Sequence, residues 1–215
     1  MKDMKRTLTT FFLLLLTCIT VSAQQAELRR AVASRYKSLN TYTATVRLTR
    51  HNAAVTKDVV TTGKYYWKRP SDQSMVFAST KEMLLAVGNT YTMVKGNRSR
   101  AVKAKAQGNN PFEILSDIIT HLQTADNSAA LTTQANVTVT KQGTSYLLTV
   151  TPKTTDNKAK RRLMFTSFTV LIDKAGSISR LLIHERGNNY SQYDFSDYAL
   201  NVNIDSKMFT TKACK

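Results

Sequence analysis

The chain has 215 residues and carries 31 lysines and arginines against 14 acids, a formal charge of +17. That length suits one domain with a core large enough to need no covalent staples, and with only Cys18 and Cys214 a disulfide scaffold is excluded. A surface this cationic attracts something anionic, but no aromatic residues interleave the basic runs at stacking spacing and no nucleic-acid motif is present, so nucleic acid is not the expected partner.

The chain opens with Lys2, Lys5 and Arg6, an apolar run from Phe11 to about Val21, and Val21-Ser22-Ala23 before Gln24. This is the pattern of a cleaved export signal over residues 1–23, followed by a single domain over 24–215. Cleavage removes three cations and one acid, leaving +15, and discards Cys18 with the signal, so that Cys214 remains as a solvated tail thiol.

From Gln25 to Leu39 the residues Leu28, Val32, Tyr36 and Leu39 recur on one stripe, with basic residues opposite, and predict an amphipathic helix. The period then switches to two: Tyr42, Ala44, Val46 and Leu48 alternate with Thr43, Thr45, Arg47 and Thr49. Further strands are predicted at Val55–Arg69, Ser74–Ala78, Met83–Val87, Tyr91–Lys95 and Ala101–Lys105, with Gly88-Asn89 as a hairpin turn. Asn110 as N-cap, Pro111 at the first helical position and Glu113 in the first turn start a second amphipathic helix that runs to about Leu122. Strands return at Val137–Thr140, Ser145–Thr151, Leu163–Ile172, Ile178–Glu185 and Gln192–Tyr198, and Lys153–Arg162 reads as a polar loop. Helices and strands do not alternate, so the class is α+β with an antiparallel sheet.

The order and spacing of several of these segments resemble LolA-type periplasmic lipoprotein carriers across essentially the whole domain. The resemblance rests on Tyr42-Thr43-Ala44-Thr45-Val46 after the first helix, Gly63 to Pro70, Gly108-Asn109-Asn110-Pro111-Phe112 and Leu148 to Lys153. It also rests on Asp173-Lys174-Ala175-Gly176-Ser177-Ile178 and Asp205-Ser206-Lys207-Met208-Phe209. It implies a strongly curved antiparallel sheet forming an incomplete β-barrel, a helical lid over an apolar cavity, and no cofactor. It implies a periplasmic chaperone that takes acylated lipoproteins from an inner-membrane ABC-type lipoprotein-releasing complex to the outer membrane, where a receptor is a further expected partner. A monomer is the expected state. The chain departs from better-known carriers in the order of Tyr66 and Trp67 and in the basic Lys95–Lys105 region.

Strand alternation nominates the lining residues. With Arg69 inward, Tyr65 and Trp67 share its side; Tyr42, Ala44, Val46 and Leu48 form a second row, Met75 and Phe77 a third, and Phe168 and Leu182 contribute others. Alternation alone does not separate a cavity wall from a packed core. The resemblance implies that Arg69 latches the lid to the barrel, with Phe112, Leu115 and Ile119 as the lid's apolar side. The basic runs Lys95, Arg98, Arg100, Lys103, Lys105 and Lys158, Lys160, Arg161, Arg162 are either solvated surface or a site for anionic headgroups or acidic partners.

Other functions on the same fold are transport or sensing of another lipidic ligand, such as a lysolipid or an acylated pigment. A hydrolytic enzyme is the remote alternative. His51, His121 and His184 are scattered, and neither a metal-ligand spacing nor a nucleophile motif accompanies them.

Overall fold

A computed structural model describes residues 23–104, 109–124, 130–154, 161 and 163–214. Nearly all of the expected export signal with Cys18, residues 105–108 with Lys105 and Gly108, and most of the 153–162 loop lie outside the described residues.

Eleven strands form one antiparallel sheet: β1 (Thr41–His51), β2 (Val59–Lys68), β3 (Asp72–Phe77), β4 (Glu82–Val87), β5 (Thr90–Lys95), β6 (Arg98–Lys103), β7 (Ala135–Gln142), β8 (Ser145–Pro152), β9 (Phe165–Ile172), β10 (Ile178–Glu185) and β11 (Tyr190–Leu200). Their spatial order is β6-β5-β4-β3-β2-β1-β11-β10-β9-β8-β7. Two meanders of neighbouring strands therefore meet at a β1–β11 seam, and β6 and β7 are left as free edges of an open barrel. Among the described residues two long helices accompany the sheet: α1, residues 23–37, and α2 (Pro111–Gln123).

The inner row follows from period-two alternation. Tyr42, Ala44, Val46 and Leu48 are all 5% exposed or less, and they stand opposite Trp67, Tyr65, Gly63 and Thr61 of β2. Gly63 is required by packing: a Cβ there would lie 2.5 Å from the Val76 carbonyl oxygen and 2.6 Å from Phe77 Cδ1, so the Phe77 ring occupies the space over the strand.

Leu28, Val32, Tyr36 and the following Leu39 bury the α1 stripe in the same core. Its backbone rests on the β9–β10 turn at Gly176, where φ is +81° and a Cβ would come within 2.6 Å of the Ala31 carbonyl oxygen. Asp173 shapes that turn, Oδ1 accepting from the backbone N–H groups of Ala175 and Ser177. In α2, Asn110 Oδ1 accepts from Phe112 N–H at 3.1 Å, Pro111 takes the first turn, and Ile114, Ile118 and Leu122 are fully buried.

Three expectations are corrected. β6 begins at Arg98 rather than Ala101, because hairpin pairing with β5 carries the strand through Ser99 and Arg100 despite their polarity. β2 begins at Val59 rather than Val55, since residues 53–57 form turns. Cys214 is not a solvated tail thiol: it is 9% exposed and packs with Val76, Met83, Leu85 and Val94 in a second, smaller core on the outer side of β3–β5. The covering segment is a pair of short 3-10 turns, Ser206–Phe209 and Thr211–Cys214, whose lack of period hid the contact from sequence reasoning.

Candidate functional site: an apolar cleft beneath two helices

Where the C-terminal end of α1 and one face of α2 meet the inner side of the sheet, a cleft opens. Tyr42, Tyr65, Trp67, Met75, Phe195 and Tyr198 supply its sheet wall, while Tyr36 of α1 and Phe112, Leu115 and Ile119 of α2 close over it. The buried stripe of α2 is Ile114, Ile118 and Leu122, so the half-buried Phe112, Leu115 and Ile119 form a separate stripe turned to the cleft. The space around these side chains, open solvent at the mouth included, is about 600 Å³. Only about 40 Å³ of it is wide enough for the centre of a water molecule, so the cleft is closed down on its own side chains.

Aromatic rings dominate the wall. Trp67 stacks on Tyr42 with centroids 5.2 Å apart and meets Tyr36 edge-on at 5.3 Å. The hydroxyls of Tyr36 and Tyr42 hydrogen-bond each other at 3.1 Å, which satisfies two polar atoms inside the apolar cluster. Tyr65 Oη donates to Gln73 Oε1 at 2.9 Å, and Gln73 Nε2 donates to Ser116 Oγ at 3.4 Å, linking β3 to α2 across the cleft. Burial pushes the phenols of Tyr36, Tyr42, Tyr65 and Tyr198 above the ordinary range, and that of Tyr193 up to about 12, because a phenolate loses its hydration there.

Arg69, at the end of β2, donates Nε to the Leu39 carbonyl at 2.9 Å and Nη2 to the Tyr36 and Lys37 carbonyls at 2.7 and 3.3 Å. The covering helix it holds is α1, at the orphan carbonyls of its C-terminal turn, where the helix dipole favours a cation. The helix carrying Phe112, Leu115 and Ile119 is tied by a different arginine. Arg29 of α1 is only 2% exposed, and its Nη1 donates at 2.6 Å to the carbonyl of His121 in the last turn of α2. Sheet, α1 and α2 are thus linked in series by two guanidiniums, each at a helix C-terminus.

Other expected residues divide. Ala44, Val46, Leu48, Phe77 and Phe168 are buried core away from the cleft wall, on the part of the inner face that Phe77 and the α1 stripe fill. Leu182 faces the other way from the core, since its neighbours Leu181 and Ile183 are the buried pair and Leu181 lines the cleft. Sequence reasoning missed Arg29, hidden among the basic residues of α1, and Asn201. Asn201 joins the α1–β1 connection: Oδ1 accepts from Asn40 N–H and Nδ2 donates to the Ser38 carbonyl. No cluster of three or more His, Cys, Asp or Glu suited to a metal occurs among the described residues.

An open antiparallel barrel with a helix-covered apolar cleft is the architecture that the sequence resemblance implies. The chain belongs to the LolA family, the outer membrane lipoprotein carrier proteins, whose family model matches residues 37–212. The match begins at the end of α1, so Arg29 precedes it and Arg69 falls within it. Among solved structures, the chain is similar to a domain assigned to an outer membrane lipoprotein-sorting protein of Vibrio parahaemolyticus, at 11% identity and TM-score 0.48, covering 90% of this chain and 99% of that one. It is similar to a LolA superfamily protein from Nitrosomonas europaea, at 9% identity and TM-score 0.42, with coverages of 85% and 96%. Lipoprotein LppX of Mycobacterium tuberculosis is another similar structure, at 15% identity and TM-score 0.41, with coverages of 85% and 98%. No curated protein sequence matches the chain.

Proposed function

We propose that this protein is an exported carrier that shelters the acyl chains of lipoproteins in the cleft, receiving them from an inner-membrane ABC-type releasing complex and passing them to the outer membrane. The observation that carries this reading is the apolar cleft walled by the sheet and roofed by α2.

A triacylated protein has about 45 methylenes to expose, at about 0.8 kcal/mol each, so its unaided escape from a bilayer costs tens of kcal/mol. A carrier must supply replacement apolar surface and still let go. The closed cleft meets both needs. Entering chains displace Phe112, Leu115, Ile119 and Tyr36 from one another, and the roof's own re-closure competes with cargo when a receptor is reached. Arg69 is the latch on the α1 side of this motion, because the Tyr36 carbonyl it holds belongs to a residue that walls the cleft.

The test is release of a radiolabelled acylated lipoprotein from spheroplasts into a soluble complex with the added protein. Lipoprotein that stays with the membrane pellet would sink the reading. Within it, Arg69→Leu should load cargo normally and transfer it poorly to outer membranes; unimpaired transfer removes the latch role.

A further inference from the structure

We infer that the inner face of β4–β6, bare toward its β5–β6 edge among the described residues, is a docking surface for anionic phospholipid bilayers, placing the mouth of the cleft against the membrane. The inference takes the cleft as the cargo site and so rests on the carrier reading, but it concerns a different part of the molecule.

Register extends the inner face beyond the cleft: Tyr65 pairs with Met75, Met75 with Leu84, Leu84 with Met93, and Met93 with Arg100. Cross-strand partners point to the same side, so Leu84, Tyr91, Met93 and Val102 continue the apolar strip outward from the wall. The strip is continuous with the cleft, because Leu84 and Tyr91 share a smaller hollow with Tyr65, Met75 and Phe112. Toward the edge it is bare: Met93 is 66% exposed, Val102 is 45% exposed, and every residue of β6 is exposed. An exposed methionine beside an exposed valine on a free sheet edge invites partners unless something covers them.

Charge names the occupant. From Gly88 to Lys103 there are four cations, Lys95, Arg98, Arg100 and Lys103, and no acid. Lys95, Arg98 and Arg100 share the face of Met93; the one acid that β4–β6 carry there, Glu82, is already paired with Arg50 at 2.8 Å and Lys95 at 3.6 Å, and the α2 acids Glu113 and Asp117 face Tyr91 at the cleft end of the strip. Apolar side chains ringed by cations, of which only Lys95 has an acid beside it, match a layer whose outside is anionic and whose inside is hydrocarbon.

Vesicle co-sedimentation tests this with the purified protein and vesicles that contain no lipoprotein, either equimolar phosphatidylglycerol and phosphatidylcholine or phosphatidylcholine alone. The protein should partition onto the anionic vesicles, and the binding should weaken with salt. Removing Arg98 and Arg100 together (R98A/R100A) should reduce partitioning roughly 30-fold, at about fivefold per cation. Met93→Asp should also weaken it, in salt where the charges are screened. The control R47A/K64A removes two cations from the opposite face and should change binding far less. Equal binding to neutral vesicles, no binding to either, or an equal loss in the control overturns the proposal; no binding to either is also the result if the strip serves an acidic protein instead. Since β6 side chains are exposed, the variants should fold as the parent does, which circular dichroism checks. Failure here leaves acyl loading untouched, so it is distinguishable from failure of the carrier reading.

Discussion

A guanidinium at a helix C-terminus does two things at once: it satisfies carbonyls that have no partner in the helix, and it places a cation at the negative end of the helix dipole. Arg69 does this for α1 from a largely exposed position, so Arg69→Leu should lower stability by only about 1 kcal/mol, a small cost beside its proposed effect on transfer. Arg29 does it for α2 from the core. Arg29→Met should lower stability by about 1.5–3 kcal/mol in a urea titration, because the His121 carbonyl loses its charged donor and keeps only those of Thr124. A cost below about 1 kcal/mol would show that the tie to α2 is incidental.

The tyrosines make a pH prediction. All nine phenols are held above their ordinary range, mostly by loss of solvent, and Tyr193 reaches about 12. Unfolded phenols ionise near pH 10, so the stability these groups contribute is complete below that pH and is lost as pH rises through their folded values. Phenolate absorbance should therefore lag through pH 10 and then rise together with loss of the near-ultraviolet dichroism. A smooth titration centred on pH 10, with the fold intact, would contradict the burial of the cluster.

Among the elements, α1 is the one whose seat is most sharply defined. Gly176→Ala adds a carbon 2.6 Å from the helix backbone at a positive φ, and neither side is a flexible side chain that can yield. The substitution should cost about 2–3 kcal/mol and raise hydrogen exchange in residues 23–37 before the sheet is affected. Exchange that rises first in β9 and β10 would place the strain in the turn instead.

Most of this layer was legible in the sequence. Leu28, Val32, Tyr36 and Leu39 announce a buried stripe, Tyr42 to Leu48 alternate cleanly, and Asn110-Pro111 marks the start of α2, because in each case the local pattern and the tertiary environment agree. Legibility fails where partners are distant. Nothing local separates Arg29, which is buried, from Arg30, which is exposed, and the reach from Arg29 to His121 spans 92 positions. Leu182 and Leu181 are adjacent leucines, and only the strand's register decides which one faces the cleft. Cleft and core likewise share one inner row: Tyr65 lines the opening while Phe77 fills the space over Gly63, a distinction of packing that alternation does not encode.

At the scale of the molecule, the carrier reading requires the closed cleft to open, and the protein carries its own reporter. Trp67 is the single tryptophan and lies in the wall between Tyr36 and Tyr42. Entry of an acyl chain must disturb those ring contacts, so a soluble long-chain fatty acid should shift Trp67 emission saturably, and Leu115→Phe at the roof, which adds no second tryptophan, should interfere with it. Emission unchanged at saturating ligand would mean that chains do not reach this wall.

The seam between β1 and β11 has a consequence for how the chain is born. The first strand cannot complete its pairing until some hundred and fifty residues later, when Tyr190–Leu200 has appeared, so the β1–β6 half keeps an unpaired strand edge until then. A polypeptide delivered amino end first, from a ribosome or through a translocation pore, therefore carries an open strand edge for most of its emergence and closes its seam only near the end.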